Sequence, residues 1–328
     1  MRTRRLVRVA AVVAASVILG PLLVAALAIS ILNETNGSIV SSGEERTYLL
    51  YVPPGYDRAR PTPLVISLHG AAVWPAQQRN MTHWNRLADR DGFIVVYPSG
   101  TGVGPRVWRV NRGPGLPKDV RFVSDLIDSL EASYNIDRER IFVNGFSLGG
   151  GLSFVLSCAL SDRIAAVGTV AAAQTLPASW CASDRSMPMI AFHGTADPVP
   201  YNGGRSPDPF NPLTFPAVRT WTASWAQRNR CASSPTESSI AADVTRLEYR
   251  GCAHGADVVL YTLEGVGHQW PGGKALPTWL FGRTTGAIDA TELMWTFFRD
   301  HPKPPPDVRA QRTRRSTSPL HSLDWGIS

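Results

Sequence analysis

The sequence predicts an α/β domain, with a mostly parallel central sheet flanked by helices, and three observations predict it. From Arg46 onward, short runs rich in strand-forming residues alternate with stretches of helical spacing, as they do when crossover helices join neighbouring strands. At 328 residues, with 44% hydrophobic and 18% charged residues, the chain has the length and composition of a large globular core. Its 28 Gly and 26 Pro are spread without a period, which excludes fibrous and repeat architectures.

The predicted strands, in order, are Tyr48 to Val52, Leu64 to Leu68, Phe93 to Tyr97, Ile141 to Asn144, Ala165 to Val170, Met189 to Phe192 and Val258 to Leu263. Between them, Asp119 to Tyr134 carries Val120, Val123, Ile127, Leu130 and Tyr134 on one face of a helix. Asp289 followed by Glu292 reads as a capping box, and Ala290, Leu293, Met294, Phe297 and Phe298 form the apolar stripe of a closing helix. Residues 46–301 are therefore expected to form one domain, preceded by a linker at 33–45. The extended Pro302 to Pro306 and the Arg- and Ser-rich remainder make 302–328 a tail with too few apolar residues to fold alone.

Charge is concentrated at the two ends. Arg2, Arg4, Arg5 and Arg8 stand in a segment without acids, and residues 301–328 carry an excess of three basic residues, so the formal charge of +7 leaves 9–300 neutral. A neutral body argues against a surface that tracks phosphates, and no nucleic-acid partner is expected. Val9 to Leu32 is a run of 24 residues without a charge. Residues 1–32 are thus either a cleaved signal peptide, with Ala26-Leu27-Ala28 as the small-x-small site, or a retained membrane anchor. Under both readings the positive-inside rule places the rest of the chain outside the cytoplasm, either secreted or held at the membrane's outer face, with membrane contact only through this segment.

Outside the cytoplasm the four cysteines are expected to be paired. Of the three connectivities, Cys158 with Cys181 and Cys231 with Cys252 is favoured, because each pair closes a short loop. A metal site on Cys252 and His254 lacks a second close pair of ligands, so no metal is expected.

The residues that carry chemistry begin at the end of the strand Ile141 to Asn144. There Gly145-Phe146-Ser147-Leu148-Gly149 runs into the small-residue helix start Gly150-Gly151-Leu152, the pattern of a nucleophile elbow. A serine must be lifted out of the sheet on a sharp turn to be attacked or to attack, and glycines on either side give the crowded backbone room. A serine hydroxyl is a weak nucleophile without a base, and the base needs an orienting carboxylate. Asp197, in His193-Gly194-Thr195-Ala196-Asp197-Pro198, and His268, in Gly265-Val266-Gly267-His268-Gln269-Trp270-Pro271, each follow a predicted strand. The order Ser147, Asp197, His268 suits loops at the carboxyl ends of strands.

Two backbone donors are expected to serve the developing oxyanion: Leu148 N–H, after the serine, and Ala71 N–H, in the turn His69-Gly70-Ala71, with Ala72 as its neighbour. His69 precedes the serine and is read as a structural hydrogen bonder, as is His193; His83 and His254 have no motif around them. Gly100-Thr101-Gly102-Val103-Gly104 faintly suggests a dinucleotide loop, but Pro105 follows and no helix opens on it, so no cofactor is expected. Trp108 and Trp270 are placed near the expected pocket mouth as substrate-binding aromatics.

With these residues in place, the chain resembles the secreted polyhydroxybutyrate depolymerase and feruloyl esterase-like family of α/β-hydrolases. The likeness runs from about Arg46 to His301. It rests on Leu68-His69-Gly70, Gly92 to Pro98, Asp119-Val120-Arg121-Phe122-Val123, Gly145 to Gly150, His193 to Gly204, Gly267 to Gly272 and Ile288 to Glu292. The resemblance implies a Ser147-Asp197-His268 triad, hydrolysis of ester substrates without a cofactor, and disulfide bonding of the kind favoured above. The chain is expected to differ from the family in having no fused polymer-binding module, and it carries a Pro-rich stretch, Ser206 to Phe215, after the Asp loop. Two other functions compete: transfer of the acyl group to an envelope sugar or lipid, and a non-catalytic envelope-binding role on the same fold.

Overall fold

The computed structural model describes residues 27, 30–102, 106–110, 113, 115–206 and 213–304. The expected export segment and the tail therefore lie almost entirely outside the described residues, as does most of the Pro-rich stretch. Among the described residues, no helix is long and apolar enough to cross a membrane.

Ten strands form one sheet: β1 (Gly37–Ser41), β2 (Glu44–Tyr51), β3 (Thr62–Leu68), β4 (Ile94–Pro98), β5 (Ile136–Phe146), β6 (Ala166–Val170), β7 (Met189–Gly194), β10 (Thr236–Ala241), β11 (Val244–Tyr249) and β12 (Val258–Leu263). Their spatial order is β1-β2-β4-β3-β5-β6-β7-β12-β11-β10. From β4 to β12 every pairing is parallel, and the pairings beyond are antiparallel at both edges. A separate two-stranded ribbon joins β8 (Gly204–Arg205) to β9 (Thr214–Phe215).

The helices are α1 (Pro75–Thr82), α2 (Trp84–Asp91), α3 (Leu116–Ser133), α4 (Leu148–Ala159), α5 (Val218–Arg228), α6 (Thr278–Phe281) and α7 (Ala290–Asp300). Alternation along the central strands divides the core in two. Leu64, Ile66, Ile141 and Val143 pack against α3, α4 and α5, while Val65, Val95, Phe142 and Phe192 pack against α2 and α7. The molecule is thus a single α/β-hydrolase-like domain with helices on both faces of a mostly parallel sheet.

The N-cap of α7 is only half a capping box. The Asp289 carboxylate accepts from the N–H groups of Thr291 and Glu292, but Glu292 turns outward to Arg90 instead of returning to Asp289. The stretch 33–45, expected as a linker, instead supplies β1 and the start of β2. Ile39 pairs with Arg46 across that hairpin and packs on the core, which ties the segment down.

Candidate active site

Ser147 stands where β5 ends and α4 begins, in the middle of the sheet between β3 and β6. Its backbone has φ 55° and ψ −119°, a conformation that L residues rarely adopt. Three backbone bonds hold it there: Ser147 N–H to the Val170 carbonyl, and the N–H groups of Gly151 and Ala173 to the Ser147 carbonyl, all within 3.1 Å. The glycines follow from this turn. A Cβ on Gly145 would sit inside the backbone of Gly149, and one on Gly149 would meet the Leu68 and His69 carbonyls of β3 and its loop.

Asp197 and His268 follow the neighbouring strands β7 and β12, and their loops are laced together. Thr195 N–H donates to the Leu263 carbonyl, Ala196 N–H to the Val266 carbonyl, and Gly265 N–H to Thr195 Oγ1. This brings His268 Nδ1 to 2.9 Å from both carboxylate oxygens of Asp197, so that Nδ1–H donates to the carboxylate and Nε2 is left as the basic nitrogen. Val199 N–H, donating to Asp197 Oδ1 at 2.7 Å, fixes the carboxylate further. The imidazole lies against Phe146, the residue before Ser147, with ring centroids 4.6 Å apart. His268 and Asp197 are largely buried, while Ser147 is half-buried.

The turn after β3 completes the arrangement. Gly70 lies against the serine: a Cβ there would come within 3.3 Å of Ser147 Cβ. His69 accepts the Gly100 N–H on Nε2 at 2.9 Å and so carries its proton on Nδ1, which donates to the Gly70 carbonyl at 2.6 Å. Because a trans peptide points its N–H opposite to its C=O, this bond also aims the N–H of Ala71. The Ala72 N–H is committed to the Arg106 carbonyl, whereas among the described residues neither Ala71 N–H nor Leu148 N–H finds an acceptor. Leu148 N–H is moreover the first of α4, where the helix offers no internal partner and the end of the dipole is positive. Burial lowers the pKa of His69 to about 4, so the ring stays neutral. Burial also lowers that of His193, whose Nε2–H donates to the Val199 carbonyl.

Trp108 and Trp270 are both buried, 4% and 1% exposed. Trp108 Nε1–H donates to the His69 carbonyl and its ring lies against that imidazole, so it backs the turn from behind. Trp270 Nε1–H donates to Thr291 Oγ1, tying the His268 loop to α7. Sequence reasoning gave no structural part to Asp119 and Arg46. Asp119 is fully buried at the start of α3, bonded to the Arg46 guanidinium at 2.9 Å and to the Arg109 N–H at 2.8 Å, and so pins the loop that carries Trp108. Burial pushes the Asp119 carboxyl above its usual range, against the pull of Arg46. The signal was the Asp-x-x-Phe spacing, since Arg46 also stacks on Phe122 at 4.1 Å. Cys158 pairs with Cys181 and Cys231 with Cys252, so Cys252 has no thiolate to offer a metal with His254.

A serine on a strained elbow, a histidine bonded to a buried carboxylate and, among the described residues, two N–H groups without an acceptor, one on Leu148 and one in the turn whose Gly70 lies against the serine, make up on this sheet a hydrolase-like site of the α/β-hydrolase fold. Comparison with known proteins agrees with that class. The sequence profile of the esterase PHB depolymerase family matches residues 46–200. A bifunctional acetylxylan esterase/xylanase of Neocallimastix patriciarum is 36% identical over 157 residues, which cover 48% of this chain and 22% of that protein. Feruloyl esterase B of Piromyces equi is 30% identical over 235 residues, covering 70% of this chain and 44% of the relative. The chain thus spans less than half the length of these two relatives. Among solved structures, an acetyl xylan esterase from Aspergillus awamori shares the fold, with a TM-score of 0.57 over 80% of this chain and 98% of that one, at 16% identity. The chain bears a family-level resemblance to secreted α/β-hydrolase esterases of the PHB depolymerase and feruloyl esterase type.

Proposed function

We propose that this protein is a serine carboxylesterase that works outside the cytoplasm, with Ser147 as nucleophile, His268 as general base and acid, and Asp197 as the group that orients the imidazole. The observation that carries this reading is the Asp197 to His268 contact beside a serine held at φ 55°. Ser147 Oγ forms a bond to the ester carbonyl carbon as His268 Nε2 takes its proton. The tetrahedral oxyanion rests on the N–H groups of Leu148 and Ala71, and collapse breaks the bond to the alcohol oxygen, which receives the proton from His268. Water, deprotonated by the same imidazole, then attacks the acyl-enzyme, and the carboxylic acid leaves with Ser147 restored.

The substrates proposed are esters of hydroxyacyl, acetyl or feruloyl type, the range that the names of the similar proteins span. Two disulfides and the uncharged run behind the N-terminal arginines support an extracytoplasmic site of action. The experiment is hydrolysis of p-nitrophenyl esters from acetate to palmitate, with Ser147→Ala alongside. Serine-dependent turnover is expected, falling by about 10⁴-fold or more in the variant; parental activity in folded Ser147→Ala protein would overturn the assignment.

A further inference from the structure

The turn that carries the proposed Ala71 donor is gripped by the loop that follows β4, and that loop is held at its root by two buried charges. Past Ser99 its two legs pair with each other through the Thr101 and Val107 backbones, at 2.9 and 3.0 Å. Each leg grips the turn after β3. The incoming leg gives the Gly100 N–H to His69 Nε2; the outgoing leg gives Trp108 Nε1–H to the His69 carbonyl and offers the Arg106 carbonyl to the Ala72 N–H. At the root the Arg46 guanidinium, on β2, forks: Nη1 donates to Asp119 Oδ1 at 2.9 Å and Nη2 to the Ser99 carbonyl at 3.3 Å. The other carboxylate oxygen, Asp119 Oδ2, accepts the Arg109 N–H at 2.8 Å. One ion pair thus ties both legs, at Ser99 and at Arg109, each one residue away from a contact that holds His69. The Arg46 and Asp119 side chains are 4% and 0% exposed. Apolar residues of similar volume commonly give as much stability as a buried ion pair or more, so stability does not account for this one. What a forked donor and a two-oxygen acceptor add is direction.

We propose that Arg46 and Asp119 are positioning residues for the reaction, a staple that sets the oxyanion-binding turn through His69. This rests on the esterase reading given above. With the staple in place the two legs keep a fixed separation, so His69 is held at Nε2 and at its carbonyl together, and its Nδ1–H stays on the Gly70 carbonyl, the bond that aims the Ala71 N–H. With the staple slackened the legs part, the imidazole tilts and the Ala71 N–H turns off line. A donor turned away loses most of its worth to an oxyanion, because donors placed in advance are what stabilise the developing charge. Binding of the ester before reaction is little affected, since the charge that the N–H serves has not yet formed.

The test uses two variants. Arg46→Lys keeps the charge but has a single nitrogen, which cannot serve Asp119 and Ser99 in the same fork. Arg46→Met combined with Asp119→Leu removes both charges and leaves no buried ion alone. Active sites are counted by exhaustive fluorophosphonate labelling, so unfolded protein does not enter the rates. In both variants kcat on p-nitrophenyl butyrate is expected to fall by about tenfold with KM within about twofold of the parent's, because acylation and deacylation both pass through an oxyanion. A trifluoromethyl ketone reads the same donors without turnover: Ser147 Oγ adds to its carbonyl carbon, His268 takes the serine proton and the carbonyl oxygen becomes the oxyanion. Its Ki should rise by the factor lost in kcat. A merely structural pair would lower the count of active sites and the urea midpoint while leaving kcat and Ki per site at the parent's values, and that result overturns the inference. The route through His69 has its own check. On a His69→Ala background Arg46→Lys should cost no more than about twofold further in kcat, and a loss of about tenfold there would also overturn the inference. Should the double variant not fold, Arg46→Lys and its combination with His69→Ala decide. Folded parent protein that neither turns over an ester nor labels at Ser147 would instead sink the esterase reading and this inference with it.

Discussion

His69 touches nothing in the proposed reaction, yet it fixes the geometry of one proposed donor. Both ring nitrogens are spent, one accepting from Gly100 and one donating to Gly70, and the Gly70 bond aims the adjacent Ala71 N–H. Removing the ring frees that peptide to rotate and leaves a buried carbonyl and a buried N–H unpaired. His69→Ala is therefore expected to lower kcat by about tenfold to a hundredfold with KM close to the parent's, because the oxyanion forms only after binding. Steady-state kinetics on p-nitrophenyl butyrate checks this, and an equal rise in KM would point to a collapsed site instead. At this scale the sequence set Ser147, Asp197 and His268 each just past a strand, which is where β5, β7 and β12 end, and the last two meet in space. It also placed His69 as a hydrogen bonder. Neither the choice between Ala71 and Ala72 nor the unpartnered Gln174 oxygen could be read, since each depends on what lies opposite in space: Arg106 takes the Ala72 N–H, and among the described residues no acceptor meets the Ala71 N–H and no donor the Gln174 oxygen. The indoles of Trp108 and Trp270 illustrate the same limit, for proximity in sequence to a site residue does not reveal whether a ring faces the cleft or the core.

Among the elements, the central parallel strands were the most legible, because strands covered by helices on both faces must be apolar throughout and so stand out as runs. The edges were not. β10 reads Thr-Glu-Ser-Ser-Ile-Ala and is exposed along nearly its whole length, so no hydrophobic pattern records it; only its antiparallel pairing with β11 makes it a strand. β1 is held by its hairpin with β2, and its alternation is too short to distinguish it from a linker. The disulfides act at this scale too. Cys158 near the end of α4 and Cys181 span 23 residues, closing the segment that contains β6 and Gln174. Replacing both by Ala is expected to cost about 3 kcal/mol of stability by the loop-entropy argument. Urea unfolding under oxidising conditions should show it as a lower midpoint with a somewhat steeper slope, because the unfolded chain without the bond is more open, and a midpoint equal to the parent's would mean that packing around Trp180 and Phe154 holds the segment without the bond.

For the molecule as a whole, the buried ionisable groups make stability depend on pH, and the groups pull in different directions. In the folded protein burial holds the His69 pKa at about 4, while in the unfolded chain it returns to about 6.5. Between these values the unfolded chain binds a proton that the folded protein refuses, so acidification draws the equilibrium towards unfolding, by up to about 1.4 kcal/mol per pH unit for one such group. The stabilisation from a neutral His69 is thus fully present above pH 6.5 and gone below pH 4, roughly 3 kcal/mol in all. His193, also lowered by burial, adds in the same sense. Asp119 acts oppositely, because a carboxyl whose pKa burial has raised takes up its proton in the folded state first, and that favours folding as the pH falls. Asp257, raised by burial, acts with Asp119, whereas Glu44, Asp91 and Glu237, lowered by their bonds to Lys118, Arg90 and Arg219, act with the histidines. Urea midpoints measured from pH 7 to pH 4.5 are expected to fall, and in His69→Gln, which keeps hydrogen-bonding capacity but does not titrate, the fall should be shallower by up to one proton's worth. General repulsion among surface charges is common to both proteins, so the difference between the two slopes isolates the buried imidazole; identical slopes would show that His69 titrates alike in the folded and unfolded chains.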